Sequence, residues 1–168
     1  RIIKEAIREI RKEKNLDVEE AEEEATLDAK VECAVDAYLP EEYISSTAER
    51  VDVYRRLVQA SKPQQIQNLQ KELVDRFGEL PEKAQNLFDY MIIKMLASKA
   101  KLSKLVLKDQ HLTGEFEYQN LPVGEEFKSW LHKLVQGAPK ELALRQENDQ
   151  LVFELFLTHG KSLLKEAK

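Results

Sequence analysis

Apolar residues recur at helical spacing over most of the first hundred positions and at strand spacing over much of the rest. Ile2, Ile3, Ala6, Ile7 and Ile10 form one stripe between Arg and Lys residues, the pattern of a helix that covers a core. A membrane-surface helix is the competing reading, but no aromatic anchors accompany the stripe. From Ala29 to Ala37 the period changes to two. Val31, Cys33 and Val35 share one face, and Glu32, Ala34 and Asp36 the other, which predicts a strand with one buried side. Tyr38 to Ile44 reads as a Pro-containing loop. Ser46 with Glu49 makes a capping box that opens a helix from Thr47 to Gln59. Its stripe is Ala48, Val51, Tyr54, Leu57 and Val58, with Arg50, Arg55 and Arg56 outside it.

The stretch from Ser61 to Leu102 organises the first half. Ser61 can cap a helix, with Gln64 completing the capping box, and Pro63 fits the first turn, where its missing N–H had no partner. Ile66, Leu69, Leu73, Val74 and Phe77 fall on one helical stripe. Gly78 supplies the left-handed conformation that ends helices, and Pro81 fits the first turn of the next one. Ala84, Leu87, Phe88, Met91, Met95 and Leu96 continue the pattern, with Ile92 widening it. Two stripes joined by so short a loop predict a packed helical hairpin. Phe77 is expected to anchor its core.

Beyond Leu102 the period is two again. Leu105 and Leu107 alternate with Lys104, Val106 and Lys108; a turn falls at Asp109-Gln110; Leu112, Gly114, Phe116 and Tyr118 follow. This predicts a β-hairpin with one wet face. Val123 to Gln136 reads as a helix, with Phe127, Trp130, Leu131, Leu134 and Val135 on its stripe and Trp130 as a core anchor; Gly137 and Pro139 end it. A second hairpin has Leu142 and Leu144, a turn at Glu147-Asn148-Asp149, then Leu151, Phe153 and Leu155, and a last helix runs from about Gly160 to Ala167. The fold class is therefore α+β. N-terminal helices, including the hairpin, precede a four-stranded, mainly antiparallel sheet built from two ββα units. The strand near Val31 adds an edge or pairs elsewhere.

Composition narrows the function. The 168 residues suit one domain or one with an appendage, 42% are hydrophobic and 34% charged, and the formal charge is −5. An acidic chain is a poor default ligand for nucleic acid, whose binding rests on neutralising phosphates. The run Asp17, Glu19, Glu20, Glu22, Glu23, Glu24, Asp28 reads as a solvated linker, with a docking arm for a basic partner as the alternative. It lacks the glycine and ligand spacing of a calcium loop. The single Cys33 fits inert packing in a reducing cytoplasm, and no apolar run approaches the roughly 20 residues that span a bilayer. The chain begins at Arg1 inside a helical pattern. Residues 1–28 are thus expected to be a helix and linker cut from an upstream domain, and residues 29–168 a single domain.

Catalytic signals are missing. No phosphate loop is present, no Cys or His pair has zinc spacing, and nothing resembles a nucleophile elbow. His111, His132 and His159 fall in a turn, a helix and a loop and read as surface or packing residues. No catalytic, cofactor or metal site is assigned. The remaining candidate is a surface. Glu72 and Asp75 lie about 60° apart around their helix, pointing away from the apolar stripe, with Asn68 between them. The ridge is an ordinary solvated face screened by Lys71 and Arg76, or a docking surface.

Three strings, Val35-Asp-Ala-Tyr-Leu-Pro-Glu-Glu-Tyr-Ile44, the helix Arg50 to Leu57, and Glu72-Leu-Val-Asp-Arg-Phe-Gly-Glu-Leu-Pro81, together resemble the C-terminal domain of bacterial transcription-repair coupling factors (Mfd). The match runs from about Val31 to Leu102 and is thin after that. Phe77, Gly78, Leu80 and Pro81 carry its structural motif, and Glu79 departs from it, since many members have Pro there. The resemblance implies a parent ATPase that pushes stalled RNA polymerase off damaged DNA, with ATP and magnesium in a motor outside this chain. It implies that this domain is regulatory and non-catalytic. Glu72, Asp75 and Asn68 would dock a basic module near the N-terminus of the same polypeptide, covering its binding surface for UvrA, the damage-recognition protein, until polymerase engages. A cytoplasmic setting without membrane contact follows. The rival is a nucleic-acid-binding module that uses Arg50, Arg55, Arg56 and the group Lys94, Lys99, Lys101 and Lys104.

Overall fold

A computed structural model describes residues 28–108, 110–137, 142–148 and 150–156. The stripe at Ile2 to Ile10, the acidic run before Asp28, His159 and the helix expected at 160–167 lie outside the described residues. In chain order the elements are strand β1 (Lys30–Cys33), helices α1 (Thr47–Gln59), α2 (Pro63–Phe77) and α3 (Glu82–Lys99), strands β2 (Lys104–Lys108) and β3 (His111–Glu117), helix α4 (Gly124–Gly137), and strands β4 (Ala143–Glu147) and β5 (Gln150–Phe156). The described residues form two compact units, 36–92 and 28–35 with 93–156, and the division falls within α3.

In the first unit, α1 starts where the capping box places it: the Ser46 Oγ accepts from the Glu49 N–H at 3.3 Å. Its buried face differs from the expected stripe. Val53 and Leu57 are buried while Val51 is 37% exposed, so the inward arc centres on Val53 and Leu57 and leaves Ala48 and Val51 on its flank. The α2 cap also moves by one residue. Lys62, not Ser61, is the cap residue, in extended geometry at φ −135° and ψ 141°. Proline excludes helical geometry from the residue before it, so with Pro63 as the first helical residue Lys62 must stay outside the helix. The matching glutamine is Gln65, whose Oε1 accepts from the Ser61 and Lys62 N–H groups at 2.8 and 3.0 Å.

Ile66, Leu69 and Leu73 of α2 are buried, but Val74 is 41% exposed and Phe77 is half-buried. Gly78 ends α2 at φ +85° and ψ −166°, a region that is essentially glycine-only. Pro81 sits just before α3 as its cap, its carbonyl accepting from the Gln85 N–H at 2.9 Å. Ala84, Leu87, Phe88 and Ile92 are buried as expected, and so is Asp89, while Leu96 is exposed. Lys101, at φ +63°, then closes α3, with the Leu102 N–H donating to the Ala97 carbonyl at 3.0 Å. That six-to-one bond is the glycine-type helix ending made with a lysine.

The second unit is a five-stranded sheet in the order β1-β2-β3-β5-β4. The two expected hairpins share one sheet, joined by antiparallel pairing of β3 with β5. β1 adds a fifth strand at the edge, parallel to β2, with Val31 opposite Leu105. One row across the sheet reads Val31, Leu105, Gly114, Phe153, Leu144, and the next Cys33, Leu107, Leu112, Leu155. Val31, Cys33, Leu105, Leu107, Leu112, Phe153 and Leu155 of these rows and Phe127, Trp130 and Leu131 of α4 pack into one core. Trp130 is half-buried, its ring edge-on to Phe116 at 5.2 Å. A Cβ at Gly114 would lie 2.1 Å from the Phe153 ring, so glycine is what lets that ring cross the sheet. The opposite face carries ion pairs, Lys30 with Glu32 at 2.8 Å and Arg145 with Glu154 at 2.6 Å, but it also holds Val152, which is buried. His111 is a strand residue, not a turn residue, pairing with Phe156. Glu147 likewise belongs to β4 and pairs with Gln150, so the second turn is shorter than expected.

Candidate functional site

The outer face of α2 carries Asn68, Glu72 and Asp75. Helical spacing turns them away from Ile66, Leu69 and Leu73, which fill the interior. The three are not equivalent. Asn68 Oδ1 accepts from the Gln64 Nε2 at 3.1 Å, one turn back. Glu72 is gripped from α1: Arg56 donates to both its oxygens, at 2.8 and 2.6 Å. Arg76, one turn on, lies 3.6 Å from Glu72 and 2.5 Å from Glu49 of α1. The chain Arg56, Glu72, Arg76, Glu49 thus ties the two helices together at the surface. The Arg56 hydrogen bonds hold the Glu72 carboxyl below the usual glutamate range, against some desolvation, and Arg76 adds to this. The side chains are 38–45% exposed, so solvent screens the network.

Asp75 is exposed and forms no ion pair among the described residues. Sequence reasoning anticipated the screening by Arg76 but not by Arg56, because α1 and α2 are adjacent only in the fold. The signal was present in part: Arg56 is outside the apolar stripe of α1, and an outward arginine seeks a carboxylate.

The motif that follows closes the helix end. Phe77 stands edge-on to Tyr43 at 5.8 Å with the Arg76 guanidinium 4.8 Å from its ring centre. The Tyr43 hydroxyl is 3.1 Å from the Leu73 carbonyl and 2.9 Å from that of Gly78, and burial raises its pKa, keeping it a donor. Inside the unit, Gln70 donates to Gln85 at 2.7 Å and Gln85 to the buried Asp89 at 3.1 Å. A carboxylate at 0% exposure on the apolar side of α3 was not legible from periodicity.

Most of the cations considered for a nucleic-acid surface have other work. Arg50 donates to the Ile44 and Ser45 carbonyls at 2.6 and 3.1 Å, anchoring the loop before α1. Arg56 holds Glu72, Arg55 lies 3.8 Å from Asp52, Lys94 pairs with Asp28 at 3.1 Å and Lys104 with Glu32 at 3.6 Å. Each pairing reduces the positive potential available to phosphates.

The TRCF domain family model matches residues 33–125, more than half of the chain. The chain belongs to the TRCF domain family. The match contains the whole first unit and, in the second, the strands β2 and β3. Curated transcription-repair-coupling factors align with this TRCF domain at 26% identity over 82% of the chain in Rickettsia bellii, 29% over 68% in Escherichia coli and 35% over 49% in Staphylococcus epidermidis. The aligned part is only 12%, 10% and 7% of those proteins. A crystal structure of the C-terminal domain of transcription-repair coupling factor superposes with a TM-score of 0.66 at 24% identity, covering 84% of this chain and 89% of that one. The shared fold therefore includes the sheet as well as the helices.

Proposed function

We propose that this TRCF domain is a non-catalytic, regulatory docking domain. In this reading the α2 ridge of Asp75, Glu72 and Asn68 holds a basic module near the N-terminus of the same polypeptide. That contact hides the module's UvrA-binding surface until RNA polymerase engages. The ATP- and magnesium-dependent motor, and its contacts with DNA, belong to other parts of the parent protein. The cytoplasm is the setting.

The observation that carries the reading is an outward acidic ridge on the helix that leads into the family's Phe77, Gly78, Leu80, Pro81 motif. A polar, partly exposed contact can be broken by a modest competing free energy, as a reversible intramolecular switch requires. Glu72 is already engaged by Arg56 and Arg76, so Asp75 is the readier acceptor and Glu72 joins only by exchanging an arginine. The test is a calorimetric titration of full-length protein with UvrA in the absence of polymerase. Asp75→Ala, alone and with Glu72→Ala, should tighten binding by up to roughly fivefold if the exposed pair contributes about 0.2–1 kcal/mol to closure. Unchanged affinity in both variants would remove the ridge from the switch.

A further inference from the structure

The turn between α2 and α3 and the loop before α1 line an open groove of about 620 Å³. Tyr38 and Pro40 come from the loop, Leu80 and Pro81 from the turn, and Tyr43 completes the apolar lining. These walls are held in place. Tyr43 is pinned through its hydroxyl at the end of α2, and the Tyr38 hydroxyl meets the Lys83 ammonium at 2.6 Å. Two prolines fix the backbone on either side. Tyr38 is still 40% exposed. The volume lies in the roughly 300–1,000 Å³ range of ligand sites, but the groove is open, which suits a side chain presented on a partner's surface.

The charge around it has one dominant sign. Glu42 and Glu79 line the groove, both exposed, and Glu41 and Glu82 beside them are exposed too. The negative end of the α2 dipole and the positive end of the α3 dipole both fall at this turn and offset each other, so the side chains set the sign. Lys83 is the one lining cation among the described residues, and Asp36 lies 3.6 Å from it. Apolar walls with an acidic rim are complementary to a cationic segment that carries an aromatic residue.

We infer that this groove takes the aromatic anchor of a basic partner segment, its ring seated among Tyr38, Tyr43, Leu80 and Pro81 and its flanking Lys or Arg residues facing Glu42 and Glu79. The inference deepens the docking reading and rests on it for the sign of the partner's charge. The ridge selects a cationic surface, while the groove selects one with a ring to bury. A buried aromatic anchor carries much of the affinity of such contacts, and rim charges govern orientation and association rate.

The test is a titration of the 168-residue chain, followed by amide shifts in NMR. The probe is a short peptide of lysine and arginine around one phenylalanine, compared with the same peptide bearing serine. The phenylalanine peptide should move the amides of Tyr38, Tyr43 and Leu80 and bind roughly tenfold tighter than the serine peptide. Tyr38→Ser should remove most of that difference. Glu79→Lys, on an exposed turn where it leaves the fold intact, should weaken both peptides. Equal affinity of the two peptides, or shifts confined to the ridge from Asn68 to Asp75, would overturn the groove and leave the docking reading standing. Absence of binding at both ridge and groove would overturn both.

Discussion

Replacing Glu72 by Gln keeps the size of the side chain and removes one charge from the middle of a four-residue network. Two hydrogen bonds from Arg56 become one weaker one, and Arg76 keeps Glu49 but loses Glu72. An exposed ion pair is worth about 0.2–1 kcal/mol, with bidentate arginine geometry at the upper end. The side chains here are 38–45% exposed, which argues against any larger figure. The expected loss is about 1 kcal/mol, or roughly 2–4 °C in melting temperature for a chain of this size.

The pH profile separates an electrostatic loss from a packing defect. The folded Glu72 carboxyl is held below its ordinary range by Arg56. A depressed folded value contributes stability above the unfolded carboxylate value of about 4.3, and that stability is lost as pH falls through the folded value. The gap between wild type and Glu72→Gln should therefore be full at neutral pH and vanish in the acid limb of the profile. Denaturant melts between neutral and acid pH measure it, and a double-mutant cycle with Arg56→Gln should return most of it as coupling. A neutral-pH gap near zero, or one that persists unchanged into acid, would refute the network as a stabilising contact. Asp75→Asn serves as the control, with a shift within about 0.5 kcal/mol.

Other outcomes follow from the same geometry. Arg56→Gln should release Glu72 to the docking surface and weaken UvrA binding by the full-length protein, the opposite of Asp75→Ala; a titration of each decides. Gly114→Ala should lower the denaturant midpoint by an amount equivalent to about 1–3 kcal/mol, because the Phe153 ring must leave its place. Phe77→Ala should cost about 2 kcal/mol, less than the roughly 3–5 kcal/mol of a fully buried phenylalanine, since Phe77 is half-buried; a chemical melt reads it. Gly78→Ala should lower the melting temperature without any clash, because nothing lies within 4 Å of an added Cβ while φ is +85°.

The elements with a strong local signal were legible. Two hairpins with alternating leucines folded as strands, and Gly78 and Pro81 bracket a helical turn because their backbones leave few alternatives. The Lys62 cap is also implicit in the sequence, since Pro63 disfavours a helical residue before it; Ser61 is the better capping residue by type but stands one position too early. What periodicity could not supply was long-range. The buried face of α1 is decided by what it packs on, so Val53 displaced Val51. The place of β1 at the sheet edge depends on pairing with a strand some seventy residues on. Lys101 in left-handed geometry and buried Asp89 break local rules that only their surroundings can override.

The ridge shows the same division between local pattern and fold. Helical spacing alone puts Glu72 and Asp75 on one outward face and makes them look like a matched pair. The fold separates them, because Arg56 arrives from a helix sixteen residues earlier and takes Glu72. An incoming cation gains little at Glu72, since it replaces a bidentate arginine with another ion pair in similar solvent. At Asp75 it meets a carboxylate with no ion pair among the described residues. A contact in which one acid attracts and the other exchanges partners is shallow in free energy and sensitive to salt. In the docking reading, that lets a domain hold closed and still release when a larger binding event competes. The prediction that distinguishes this from two equal acids is the ratio of effects: Asp75→Ala alone should produce most of the release measured for the double variant. A double variant that releases far more than Asp75→Ala would show that Glu72 leaves Arg56 on docking.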